Sequence, residues 1–163
     1  MVTLSILKYL ERSGFGVIDK SLFWEKMGLN DVGLYIEDLG GNNARGSRRS
    51  TTFQIYSRGT SDVDGYKRLQ RVAELLNSSY SVCKLPSVPP VTNYGYENVS
   101  FQAISEISSE GVDMNGRVLY SLTGQVFYGD KVQDDANPSP DSGYITTETG
   151  KAIETENNKL IQF

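Results

Sequence analysis

A chain of 163 residues with a net charge of −4, one cysteine and no histidine is one domain long, on a scale of ~100–200 residues per domain, and it lacks several common chemistries. Without histidine the usual general base near neutral pH and the commonest metal ligand are missing. With Cys83 alone, neither an internal disulfide nor a multi-cysteine zinc site can form, and 38% hydrophobic residues is little enough to leave part of the chain outside a core.

In chain order, residues 3–13 predict a helix capped by Thr3, with Leu4, Leu7 and Leu10 on one face and Ile6 beside them, stopped by Gly14 and Gly16. Residues 22–27 are short and aromatic and fit either a helical turn or a strand. Residues 34–39 predict a strand, 40–46 a loop of turn formers, and 50–58 a second strand. In that second strand Phe53 and Ile55 alternate with Thr52, Gln54 and Tyr56. The pair makes a hairpin with a long tip carrying Arg45, Arg48 and Arg49. The spacing of Tyr66, Leu69, Val72, Ala73 and Leu76 predicts an amphipathic helix over 62–77, with Asp62 and Asp64 at the positive end of its dipole.

A third strand is expected over 80–85, where Cys83 reads as a small buried hydrophobe, followed by a proline-stiffened connector over 86–90. Residues 99–107 and 117–128 predict two long strands, joined as a hairpin by the polar segment 108–116. After Gly129 the composition changes: 134–143 reads as a linker, and 144–163 is polar with Ile145, Ile153, Leu160, Ile161 and Phe163 as scattered anchors. The expected fold is therefore one α+β domain over 1–129, a mainly antiparallel twisted sheet with two helices on one face. An acidic, polar extension over 130–163 is expected to order on assembly, Ile153, Leu160, Ile161 and Phe163 supplying its contacts.

Charge is unevenly placed. Residues 45–71 hold seven basic groups against two acidic ones, a local balance of +5, whereas 130–163 hold seven acidic groups against three lysines. Such asymmetry suits contacts with another protein surface or a neighbouring copy, Arg45, Arg48 and Arg49 being the leading candidates. Catalysis finds little support. Glu37 and Asp38 are adjacent in a strand and point to opposite faces. Asp134, Asp135 and Asp141 match no calcium-loop spacing, and the glycines of 40–46 lack the Gly-Lys-Ser/Thr ending of a phosphate-binding loop. No catalytic residue, metal or cofactor is expected. Arg45, Arg48, Arg49 and Arg58 with Tyr56 and Phe53 raise a nucleic-acid surface as a rival reading, against which stands a pI near 4.9 where a dedicated binder more often exceeds ~9. No run approaches the ~20 apolar residues of a membrane span, and no basic-then-apolar leader opens the sequence.

Two passages carry a resemblance. Thr52-Phe53-Gln54-Ile55-Tyr56-Ser57-Arg58 runs into Asp62-Val63-Asp64-Gly65-Tyr66-Lys67-Arg68-Leu69, and Gly116-Arg117-Val118-Leu119-Tyr120-Ser121-Leu122-Thr123-Gly124-Gln125-Val126-Phe127-Tyr128 forms a last long strand. Their order and residue types resemble the tail terminator, or tail completion, proteins of long-tailed bacteriophages over about residues 1–129. The resemblance implies a non-enzymatic virion protein, located at the head-proximal end of the tail. It would form a ring, typically hexameric, that ends growth of the tail tube and meets the tail tube protein and a head-completion protein. DNA would only pass through its lumen. Related head–tail joining proteins, such as head-closure subunits, share the same size and character.

Overall fold

The pairing of apolar stripes against an alternating sheet, expected from the sequence, is what the computed structural model of the protein displays. It describes residues 2–42, 48–78, 83–102, 104–129 and 131–133. These belong to one compact unit that ends at Gln133; residues 134–163, with their candidate anchors Ile153, Leu160, Ile161 and Phe163, lie outside the described residues, as does Arg45.

Helix α1 spans Val2–Arg12 and buries Val2, Thr3, Leu4, Ser5, Ile6, Leu7 and Leu10. Thr3 does not cap it: the residue is fully buried inside the helix, and its Oγ1 accepts a hydrogen bond from Trp24 Nε1 at 3.4 Å. The helix ends at Gly14, whose φ of 85° is left-handed; Gly14 N–H bonds Glu11 O and Phe15 N–H bonds Leu10 O, satisfying the last carbonyls. The ambiguous aromatic segment resolves as strand β1, Leu22–Trp24, running parallel to β2, Gly33–Asn42. Strand β3, Arg49–Arg58, pairs with β2, and helix α2 follows over Asp62–Ser78. Ser61 caps α2 by accepting from Asp64 N–H at 3.2 Å, while the Asp64 carboxylate reaches back to Thr60 N–H at 3.1 Å. Tyr66 leaves the apolar face assigned to it: it is 46% exposed and leans on the Tyr120 ring, and Gly65 takes the buried place.

Strand β4 is Cys83–Leu85, β5 Tyr94–Gln102, β6 Ser108–Val112, β7 Val118–Tyr128 and β8 Lys131–Gln133. The sheet order is β1-β2-β3-β7-β5-β4, with β6 on β7 and β8 on β5. The expected hairpin between 99–107 and 117–128 is corrected. β5 meets β7 over only three residue pairs, Ser100–Gln102 against Gln125–Phe127. The polar segment taken for a connection is itself strand β6, folded onto the other end of β7 through a turn at 113–116. All five residues of β6 are exposed, so no apolar alternation marked it. One core receives side chains from both helices and from the sheet: Leu7, Leu10, Leu69, Val72 and Leu76 pack with Ile36, Phe53, Ile55, Phe101, Leu122 and Val126. The sheet is thus mainly antiparallel, strongly curled, with two helices on one face.

Candidate partner-contact surface

The register of β3 with β7 is unbroken from Arg49↔Tyr128 to Arg58↔Leu119. Alternation then puts Arg49 on the face of Phe53 and Ile55, and Tyr128 on that of Val126 and Leu122. Arg49 is nevertheless exposed, at the margin of the core. Beside it Gly129 N–H bonds Glu97 O and the chain turns into β8, bringing Lys131 opposite Tyr96. Arg49, Tyr96, Tyr128, Gly129 and Lys131 line a cleft of about 340 Å³. Tyr96 packs edge-on against Tyr128 with ring centroids 5.1 Å apart. Burial, reinforced by Tyr128 and Tyr94, pushes the Tyr96 hydroxyl up to about 12. Lys131 Nζ donates to Tyr94 Oη at 2.9 Å and lies 4.3 Å from that ring's centroid; the hydrogen bond from Lys131 holds the Tyr94 hydroxyl below the usual phenol range. Two cations beside a small cleft suit an anionic group, carboxylate or phosphate.

Of the residues singled out from sequence, Arg49 therefore lines a built cleft. Arg48 does not stand out from a tip: its Nη2 donates to Asn98 O and Ser100 Oγ, both at 3.1 Å, and ties the start of β3 to β5. The wider basic stretch is largely engaged within the fold. Arg58 is 8% exposed; its Nη1 faces the carbonyls of Gly28 (2.7 Å), Leu29 (3.2 Å) and Asp31 (3.2 Å). Its Nε lies 3.2 Å from Asp113 Oδ2, close enough for an ion pair but without hydrogen-bond geometry. Arg68 donates to Asp64 and to Arg58 O, and Arg71 lies over the Phe15 ring. Phe53, the other aromatic considered for nucleic acid, is fully buried. The proposed basic, aromatic surface around Arg58 and Phe53 is thus not assembled.

The sheet's second face, which the helices do not cover, was missed by sequence reading. Tyr35 pairs with Tyr56 across β2 and β3, their rings stacked 4.4 Å apart and 8° from parallel. Tyr56 Oη donates to Gln54 Oε1 at 3.0 Å, and Gln54 Nε2 to Ser121 Oγ at 3.1 Å. Ser121 Oγ in turn donates a short hydrogen bond to Glu110. Burial, with Glu37, Tyr35 and Glu110 adding, pushes the Tyr56 hydroxyl up to about 12. Glu37 and Asp38 do point apart, Asp38 toward α1 through Thr3 Oγ1 at 3.5 Å and Glu37 toward Tyr56. The carboxylate that shares Glu37's face is Glu110, from a strand hidden in a polar stretch. Among the described residues no group of three or more Cys, Asp or Glu side chains is placed to hold a metal, and no helix is long and apolar enough to cross a membrane.

No protein-family model matches the chain, and no curated protein matches it closely enough to show kinship.

Proposed function

We propose that this chain is a ring-forming subunit that caps the head-proximal end of a phage tail tube, ends tube growth and offers a surface for joining to the head. The observation that carries the reading is the cleft of Arg49, Tyr96, Tyr128 and Lys131 at the sheet margin, a set of side chains suited to gripping an acidic protein surface. The order of strand β3, helix α2 and the long strand β7 supports it, since that order is what the resemblance rests on. Arg58 is buried against the carbonyls at 28–31 and Phe53 is fully buried, which weighs against a nucleic-acid surface built on these two residues.

The test is a polymerisation assay with the major tube protein from the same gene neighbourhood. Purified chain, added to growing tubes, should stop elongation and appear as a ring at one tube end by electron microscopy, with six copies expected. Tubes that elongate unchanged at saturating chain would overturn the reading. Tight binding of short duplex DNA at physiological salt would favour the regulator instead.

A further inference from the structure

We propose that the tyrosine-and-glutamate face of the sheet is the docking site for the basic cleft of a second copy of this chain, so that copies join head to tail. The inference rests on the ring reading above and names the two surfaces that would build the ring.

The two surfaces lie on opposite sides of one sheet. Arg49 shares the parity of Phe53 and Ile55 in β3, whereas Gln54 and Tyr56 take the other, and Tyr35 and Glu37 oppose these two in β2. One side offers Glu37, Glu110 and the stacked pair Tyr35 and Tyr56, with Arg58, of the same parity, buried and paired with Asp113; the other offers Arg49 and Lys131. Guanidinium and ammonium groups suit such a site through ion pairs with the carboxylates. Like does not suit like: the carboxylate face laid on itself, or the cleft on itself, places equal charges together. A two-fold dimer through either surface is therefore disfavoured, and a contact between unlike surfaces remains. Such a contact propagates, and it yields a ring when its rotation closes. The acidic face is set in advance, since Glu110 is held by Ser121 and Ser108, and Tyr56 by Gln54. Little ordering is left to do on association.

The experiment uses the full chain in sedimentation velocity and native mass spectrometry near 0.15 M salt. Two variants are compared with the parent: Glu37→Lys with Glu110→Lys, and Arg49→Glu with Lys131→Glu. Each alone should weaken self-association about tenfold or more. Mixed in equal amounts they should recover it, in oligomers that alternate the two variants, because each then meets opposite charge on both sides. Circular dichroism of each variant, with the recovery itself, distinguishes a lost contact from a lost fold. If both variants assemble like the parent, the assigned surfaces are wrong while the ring reading stands. If each fails alone and mixing does not restore assembly, the pairing is also wrong. If the parent remains monomeric up to its solubility limit, this inference falls, while the ring reading is still decided by the tube assay.

Discussion

Replacing Arg58 by methionine removes a charge from a nearly closed site while keeping most of the side chain's volume. Nη1 faces three carbonyls, of Gly28, Leu29 and Asp31, but has two hydrogens, so two bonds form at full strength at any moment. Hydrogen bonds from a charged donor contribute roughly 1.5–3 kcal/mol each. The ion pair with Asp113 adds less than a buried pair usually does, because Asp113 keeps Arg117 at 2.8 Å when Arg58 is gone. Water can reach the freed carbonyls, since Leu29 is 67% exposed, and the methionine thioether gains some apolar burial. The net loss should be about 3 kcal/mol. At roughly 2–4 °C per kcal/mol for a chain of this size, Tm should fall by about 9 °C. Thermal melts followed by far-ultraviolet circular dichroism read this directly. The control is Lys84→Ala, whose partner Glu97 is 3.9 Å away and whose side chain is 76% exposed; it should move stability by no more than about 0.5 kcal/mol. An Arg58→Met variant melting within about 2 °C of the parent would refute the view that this arginine ties the loop after β1 to the sheet.

Gly124→Ala should destabilise by about 1–3 kcal/mol, because a Cβ there would come within 2.4 Å of Ile104 Cδ1 and 2.7 Å of Phe53 Cζ; urea unfolding with an unchanged midpoint would count against it. Acid should weaken the fold below about pH 4. Hydrogen bonds from the Arg117 backbone N–H and guanidinium hold Asp113 below its usual range, and the Lys8 ammonium and Ile18 N–H do so for Glu11. Both pKa values are depressed in the folded state, so this stability is present above the unfolded value and is lost as pH falls through the folded one. Asp113→Asn should flatten that acid slope in melts taken between pH 5 and pH 2, and an unchanged slope would exclude Asp113 as a contributor. At the other extreme, ultraviolet titration should show phenols that ionise only near pH 12, with Tyr56→Phe and Tyr96→Phe each removing one late step. Both are raised above the unfolded phenol value, so stability should decline as pH climbs from about 10 toward 12.

What the sequence disclosed was whatever its side chains advertise. The helix over 62–77 shows a 3.6-residue period and an acidic first turn, and it is present as Asp62–Ser78. The alternation of Phe53 and Ile55 with Gln54 and Tyr56 placed β3 correctly. Thr3 misled because threonine favours caps, yet here its hydroxyl bonds Trp24 and Asp38 from within the helix. Strand β6 was missed because backbone pairing needs no apolar alternation, and in this exposed strand Val112 is the sole large apolar residue. The candidate sites divided in the same way. Arg49 was legible as a surface cation. Lys131, Tyr96 and Tyr128 were not associated with it, because strand crossing, not sequence proximity, brings them together. Glu110 was invisible as Glu37's companion for the same reason. A run of arginines likewise says nothing about which of them a fold consumes, and Arg58 is consumed almost wholly.

The stability of the Arg58 site and the proposed assembly surface are mechanically linked. Asp113 opens the β6–β7 turn, where it accepts from Asn115 N–H at 2.8 Å and Arg117 N–H at 2.9 Å, and Gly116 takes the left-handed φ of 76° that closes it. Arg117 and Arg58 fasten that turn to the carbonyls of the loop at 28–31. Glu110 lies on the strand that this turn returns to β7, so its place beside Ser121 depends on the fastening. Exposed ion pairs between unfixed side chains contribute little, whereas groups already held in place lose little freedom when a partner arrives. Arg58→Met should therefore weaken self-association well below its own Tm, by loosening Glu110, even where circular dichroism reports a folded chain. Gly124→Ala provides the comparison, since it strains the fold from the core side without touching the turn. Sedimentation velocity of both variants at 20 °C separates the two effects. Equal loss of assembly in both would mean that general destabilisation, and not the position of Glu110, governs the contact.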